Sequence, residues 1–315
     1  MFEWKIQKAW DDYRLDFGLG RTLLLTAIFN VFLFFIGILL LNTIIYEPLL
    51  LVLLSQVLIH LREYIVKLRQ NYIFFVLGVF VAISIVYNYL YVGLFDQYAG
   101  GLVRFDAFFS KIDMEIFNAP VANYIYSIIG KKSLFTTIYY DLIQLSYFTF
   151  YLYPIFGGIF YYAQLNRSGK FKIGRYAISI ILFFNINYLL YLLVPVSGPQ
   201  YFLTEPLSLN LPFSNFGLWL NGLIYDGHPN FIDCFPSGHA GISILVTAWM
   251  FKIKNHYRYI FLIFCILMIN ATLALGYHYL LDILAALPLT LICYKLSYYI
   301  LPIKADVRTN RKWRL

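Results

Sequence analysis

The sequence predicts an all-α protein, a polytopic transmembrane helix bundle of about eight spans, and three observations carry that prediction. First, 61% of the 315 residues are hydrophobic and 13% charged, with a mean hydropathy of +0.70. A water-soluble core cannot hide that much apolar surface. Second, the apolar residues gather in runs of about 20, the length that crosses a bilayer as a helix. Third, the Lys and Arg residues behind the formal charge of +8 gather in short loops between those runs. Basic residues so placed read as topology signals, so no nucleic-acid partner is expected. Aromatics make up 20% of the chain, and some of the 29 Tyr are expected at the membrane interfaces.

Taken in order, the charged first 21 residues lead into an apolar run at 22–46, too long for the core of a cleavable signal peptide. Further spans are expected at 72–95, 136–162, 176–194, 259–276 and 280–301, with a shorter one at 237–251. The stretch 48–66 is interrupted by His60, Arg62 and Glu63, and charge decides that it crosses. The N-terminus (Lys5, Lys8, Arg14, Arg21), the stretch with Lys67 and Arg69, and the loop 164–175 (Arg167, Lys170, Lys172, Arg175) all read as cytoplasmic. So do the loop 252–258 (Lys252, Lys254, Arg258) and the tail with Lys304, Arg308, Arg311, Lys312 and Arg314. The segment 195–236 has no Lys or Arg and faces the other side. The alternation closes only if 48–66 spans, with Arg62 snorkelling to the inner surface; both termini are then cytoplasmic. The outer segment 96–135, with Asp106, Lys111, Asp113 and Glu115 among apolar residues, fits a short amphipathic helix lying on the membrane. There is no internal repeat. The organisation expected is one membrane domain: spans and outer segment at 1–135, a catalytic core at 136–301 and a basic tail at 302–315.

Two short stretches carry the chemistry. Residues 234–239 read Cys-Phe-Pro-Ser-Gly-His, and residues 278–282 read His-Tyr-Leu-Leu-Asp. Pro236 suits the first turn of a helix, and Ser237 and Gly238 open the span at 237–251. Exposed backbone N–H groups at a helix start bind anions, and Gly238 lets an anion come close to the backbone. His239 would face that anion; the blander alternative is a capped helix with an interfacial histidine. His278 and Asp282 are four apart on one helix face, where the carboxylate can accept the Nδ1–H and leave Nε2 as a nucleophile. The alternative is a local polar pair. Ionisable groups at the end of a span are functional by default, and both stretches fall on the same outer boundary.

Of the three cysteines, Cys265 and Cys293 lie in apolar runs and Cys234 adjoins the first stretch; no disulfide framework follows. Cys234 reads as a spectator or structural thiol rather than a nucleophile, since spacing gives it no dedicated base. No His or Cys cluster has metal-ligand spacing, so neither metal nor cofactor is expected. His228, before Pro229 in the outer loop, is a candidate for lining the site, whereas His60 and His256 fall on the cytoplasmic side.

These residues resemble the type-2 phosphatidic acid phosphatase superfamily, which includes lipid phosphatases, vanadium haloperoxidases and sphingolipid head-group transferases. Its second motif, Pro-Ser-Gly-His, is matched by Pro236, Ser237, Gly238 and His239; its third ends in His-x-x-x-Asp, matched by His278 and Asp282. The resemblance covers about 136–301 and implies a six-helix-type core. It implies that His278 attacks phosphorus to form a phosphohistidine, that Asp282 orients it, and that His239 protonates the leaving oxygen and then activates the acceptor. Ser237 and Gly238 would hold phosphoryl oxygens. Two positions depart from the pattern. Thr272 stands where an arginine six residues before the histidine is usual, and no Lys…Arg-Pro string is present. The nearest analogue is Val-Ser-Gly-Pro-Gln at 196–200, in which Gln200 replaces a cation. Arg104, Lys111, Lys131 and Lys132 are the cations nearest in the outer segments. The change at 272, the Tyr after His278 and the Tyr-Asp-Leu-Ile-Gln-Leu-Ser-Tyr run at 140–147 look like the inositol phosphorylceramide synthase-like (inositolphosphotransferase) branch. Asp141 in that run is a candidate substrate contact, or a solvated helix-start carboxylate.

The expected function is an integral-membrane lipid phosphotransferase or phosphatase acting at the extracytoplasmic face on a phospholipid or sphingolipid head group. Its partners would be a membrane lipid substrate and, for a transferase, a lipid alcohol acceptor; the expected location is a bacterial plasma (inner) membrane. A simple lipid phosphate phosphatase and a non-catalytic lipid-binding membrane protein are the alternatives, the second motivated by the missing cations.

Overall fold

The structure is a computed structural model that describes residues 104–129, 132–165, 172–202, 211–227, 232–253 and 255–302, with Ile28, Val31, Phe35 and Leu39 as isolated positions. Those four are helical and exposed. Otherwise the spans expected at 22–46, 48–66 and 72–95 lie outside the described residues, as do His60, Lys131, His228, the basic stretch 166–171 and the tail from 303.

The described chain is helical, with no strand beyond one isolated bridge between Val196 and Asp233. In chain order the helices are α1 (Asp106–Phe117), α2 (Val121–Ile129), α3 (Leu134–Phe148), α4 (Tyr153–Gln164), α5 (Ile173–Leu193), α6 (Pro199–Phe202), α7 (Asn215–Gly227), α8 (Gly238–Met250), α9 (Arg258–Ala274) and α10 (Leu280–Ile300). Two of them, α5 and α10, are long and apolar enough to cross a membrane; α3 and α4 form a bent pair that passes the same test together. A 3-10 turn at Thr149–Leu152 makes the break where one span was expected at 136–162. The apolar α8 and α9 are shorter. Leu284, Leu287, Leu291 and Ile292 on α10, and Ile260, Ile263 and Ile266 on α9, are exposed. Such contiguous apolar faces are at home in hydrocarbon, not water.

The chain divides into two compact units. One comprises Met1–Val86, Gly158–Asn185 and Leu291–Leu315. In its described part Arg175, expected among loop cations, is buried: its Nε donates to the Leu301 carbonyl at 2.8 Å and its guanidinium lies 4.1 Å over the Tyr298 ring. A cation belongs there, since the last carbonyls of α10 carry partial negative charge. Tyr161 stacks on Tyr176 in the same unit.

The other unit, Tyr87–Gly157 with Ile186–Thr290, holds both chemical motifs. Small residues let its helices approach closely: Ala240 packs with Ile283 and Ala286, and Thr290 Oγ1 donates to the Gly241 carbonyl at 3.0 Å. Ser133 caps α3 through a reciprocal box with Thr136. Ser237 caps α8 by accepting the Ala240 N–H.

The outer segment holds two helices, and α1 is not a plain surface helix. Asp106, Phe109 and Asp113, at helical spacing, make its buried face, while Lys111 and Glu115 pair at 3.7 Å on the exposed one. Phe109 packs among Val196, Cys234 and Tyr279, and its ring meets Phe235 edge-on. Sequence patterning put the charges outward; the burial follows because backbone N–H groups of two loops need acceptors and α1 supplies them.

Candidate active site

Three loop segments converge beside α1. The first, 194–200, runs from α5 into α6. It is tied to the second by the Cys234 N–H donating to Val196 O at 3.1 Å, and to the third by the Gln200 N–H donating to Gly276 O at 3.0 Å. Gly198 adopts φ +94°, and a Cβ there would lie 2.6 Å from the Tyr277 carbonyl oxygen, so only glycine fits. The second segment, 232–237, enters α8 through a cis Phe235–Pro236 bond, and the Ser237 N–H donates to Asp282 O at 3.1 Å. The third, 275–279, turns back at Gly276 (φ +75°) so that the His278 N–H donates to Thr272 O at 2.9 Å. Two motifs separated by tens of residues thereby share one wall.

Within that wall His278 is 3% exposed, and its Nδ1 lies 3.3 Å from Asp282 Oδ2. The same oxygen accepts the Tyr279 N–H at 2.8 Å. With Nδ1 engaged by the carboxylate, Nε2 is the nitrogen left for chemistry. The His239 ring stacks on Tyr147 with centroids 4.1 Å apart, and Phe150 lies 4.1 Å away at a tilt. The two histidine rings stand 6.1 Å apart at 57°.

Tyr147 also meets Tyr277 at 4.2 Å, and the Tyr277 hydroxyl joins Gln144 (3.0 Å) and Asn221 (3.1 Å). The rings against His239 thus come from the end of the 140–147 run and from Phe150 just after it, and Tyr277, the residue before His278, backs Tyr147. Sequence spacing does not link them.

Cys234 is not a bystander. Its Sγ lies 2.8 Å from Asp282 Oδ2 and 3.1 Å from His278 Nδ1. Burial, then the nearby Asp282 charge, pushes the thiol well above its ordinary range, so it is a neutral S–H donating to the carboxylate rather than a thiolate nucleophile. Spacing along the chain offered no metal site, yet folding brings donor atoms of Cys234, His278 and Asp282 within 4.8 Å of one another. Protons shared inside this trio account for its short contacts.

Asp106 is the acceptor that organises the loops. Its carboxylate takes the N–H groups of Ser197 and Gly198 at 3.0 Å, the Ser197 hydroxyl at 2.9 Å and the Tyr279 hydroxyl at 3.2 Å. One turn pair further on, Asp113 Oδ1 accepts the Leu280 N–H at 3.2 Å. Burial, with a contribution from the Asp282 charge, raises the Asp113 carboxyl from 3.8 to about 6. The folded protein therefore holds this proton more tightly than the unfolded chain. The stability it contributes is complete below about pH 4 and is lost as pH rises through about 6. Asp113→Asn keeps an acceptor for Leu280 and removes the titration. Thermal unfolding of the variant should lose that part of the pH slope and exceed wild type at pH ~7. An unchanged slope would show that Asp113 does not titrate in this window.

The remaining expected residues are placed as follows. Ser237 and Gly238 form the start of α8. Gln200 is 9% exposed in α6. Asp141 accepts the N–H and hydroxyl of Ser214, and its carboxylate fills the space beside Gly217 that a side chain would need. Thr272 is buried and donates to Ile269 O. Arg104, Lys111 and Lys132 are exposed.

A family model described as the PAP2 superfamily matches residues 135–296. The chain belongs to the PAP2 superfamily. The match takes in both motifs and stops short of α1, so Asp106 lies outside the matched region while its partners Ser197, Gly198 and Tyr279 lie within it. A relative, a "PA-phosphatase related-family protein" of Dictyostelium discoideum, is 28% identical over 188 residues. The alignment covers 53% of this chain and 33% of the relative, so the chain spans about a third of that protein's length. No solved structure matches this PAP2 chain. Family and apolar helices together make it a membrane protein.

Proposed function

We propose that this PAP2 protein transfers or hydrolyses a phospho-group on a membrane lipid through a covalent histidine intermediate. The observation that carries the reading is the His278–Asp282 pair facing His239 across 6.1 Å. Nε2 of His278 attacks phosphorus, and the P–O bond to the leaving group breaks as His239 gives its proton to the leaving oxygen. Asp282 offsets the positive charge on the phosphorylated ring through Nδ1. An acceptor hydroxyl then attacks phosphorus, the P–N bond breaks, and His239 takes the acceptor's proton, restoring both histidines. Ser237, Gly238, Pro236 and Gln200 line the phosphoryl side of this site, while Asp141 braces the Ser214 turn. His228 remains a proposed lining residue. No step requires a metal.

The acceptor is a lipid hydroxyl in this reading, as in the inositol phosphorylceramide synthase-like branch, which resembles this chain in lacking the arginine at the position of Thr272, although Gln200 replaces a cation of that branch too. The eight spans, cytoplasmic termini and extracytoplasmic site of this reading rest on the distribution of Lys and Arg. The experiment supplies purified protein in micelles with a head-group-labelled phospholipid, with and without a lipid alcohol such as diacylglycerol or ceramide. Label is expected on the acceptor. Label found only in water-soluble phosphate or phospho-head-group would reject transfer and leave a lipid phosphatase. No turnover of any phospholipid would leave a lipid-binding protein.

A further inference from the structure

In the phosphoryl-transfer reading Thr272 and Gln200 stand where the resemblance leads one to expect cations, and a buried amide on α5 has no assigned role. Asn187 is 0% exposed, and neither its Nδ2 nor its Oδ1 has a hydrogen-bond partner among the described residues. An amide left unpaired in an apolar helix is a destabilising feature that ligand contact would relieve. Its surroundings say where a ligand would sit. A Cβ built on Gly238 would meet the Asn187 Nδ2 at 3.4 Å and the Tyr191 hydroxyl at 3.0 Å. The two side chains are one helical turn apart and both face the first residue of α8. At Gly238, next to His239 in the chain, the start of α8 thus comes close to that polar face, and a side chain there would crowd the Asn187 amide and the Tyr191 hydroxyl.

We propose that Asn187, supported by Tyr191, is a neutral phosphoryl-binding residue that takes the place of a cationic clamp. The proposal rests on the phosphoryl-transfer reading and adds a residue to it. The amide N–H donates to a phosphoryl oxygen, and the amide oxygen accepts from a protonated one. A carboxamide carries no charge to balance a dianion, so the group it suits is a phosphoryl bearing a single negative charge and a P–OH.

The test uses the full-length protein in micelles with orthovanadate, a phosphate mimic that is mainly monoanionic near neutral pH. Thermal unfolding is followed with and without vanadate for wild type, Asn187→Leu and the isosteric Asn187→Asp. Wild type should be stabilised by vanadate. Asn187→Leu, which removes the unpaired amide, should unfold no earlier than wild type without vanadate yet bind it roughly tenfold more weakly, the effect of one lost buried hydrogen bond. Asn187→Asp should bind vanadate more weakly still, because a carboxylate would face the anion; it also serves if the leucine variant does not fold. Vanadate affinities equal to wild type in the folded variants would overturn the Asn187 assignment alone. A wild-type protein that neither binds vanadate nor turns over a phospholipid would overturn the phosphoryl-transfer reading with it.

Discussion

Replacing His278 with alanine should lower turnover by roughly 10³-fold or more while the protein stays folded, since the nucleophile would be gone with the rest of the site in place. Folding should survive because the His278 backbone N–H, which donates to Thr272 O, does not depend on the ring. Removing the imidazole does leave Asp282 with the Cys234 thiol and the Tyr279 N–H as partners, so the carboxylate keeps two donors. The companion variant is His239→Ala. It should slow phosphorylation of His278 severely for a lipid substrate but much less for an aryl phosphate, whose leaving group needs no proton. With the aryl phosphate, the step that needs a general base then becomes limiting. An acid-labile, base-stable phosphoryl label should accumulate on the protein. Label that survives in His278→Ala, or turnover retained there, would refute the nucleophile.

The second large effect is expected far from the motifs in sequence. Asp106→Ala should destabilise the fold by roughly 4 kcal/mol or more, because four buried donors lose their acceptor and each costs about 1–3 kcal/mol. The affected donors are the N–H groups of Ser197 and Gly198 and the hydroxyls of Ser197 and Tyr279. Activity should fall together with stability, since Gly198 packs against the Tyr277 carbonyl one residue before His278. Asp106→Asn should fall between, keeping one acceptor oxygen and losing the charge that strengthens each bond. Unfolding temperatures and phospholipid turnover in the same micelles provide the check. An Asp106→Ala protein that unfolds with wild type would mean that the loops hold their shape without α1.

This second case shows where sequence reasoning stops. Asp106 sits in a stretch of mixed charge whose outward look favoured a surface helix. Only its spacing with Phe109 and Asp113 hinted that two carboxylates share the buried side. A carboxylate facing orphan backbone donors and one facing water have the same local sequence, so patterning cannot separate them. Cys234 makes the same point. Its neighbours in the chain give it no base, yet its sulfur touches both members of the pair 44 and 48 positions later. Arg175 read as a loop cation and is instead folded onto the carbonyl of Leu301.

The apolar helical character and the extents of α5, α8, α9 and α10, to within a few residues, were legible in the sequence alone. Those are local properties: period, run length and capping residues act within a single helix, whereas His278 lies in the turn before α10 and not, as its spacing with Asp282 predicts, on one helix face with it. Tertiary structure alone decided that His239 stands 6.1 Å from His278 between two aromatic rings, that Cys234 completes the trio, and that Asp106 braces the loops. It also placed the unpaired amide of Asn187 against Gly238. Each of these joins residues from different helices. Such contacts depend on how buried donors find acceptors after packing, and no period in the chain encodes that choice.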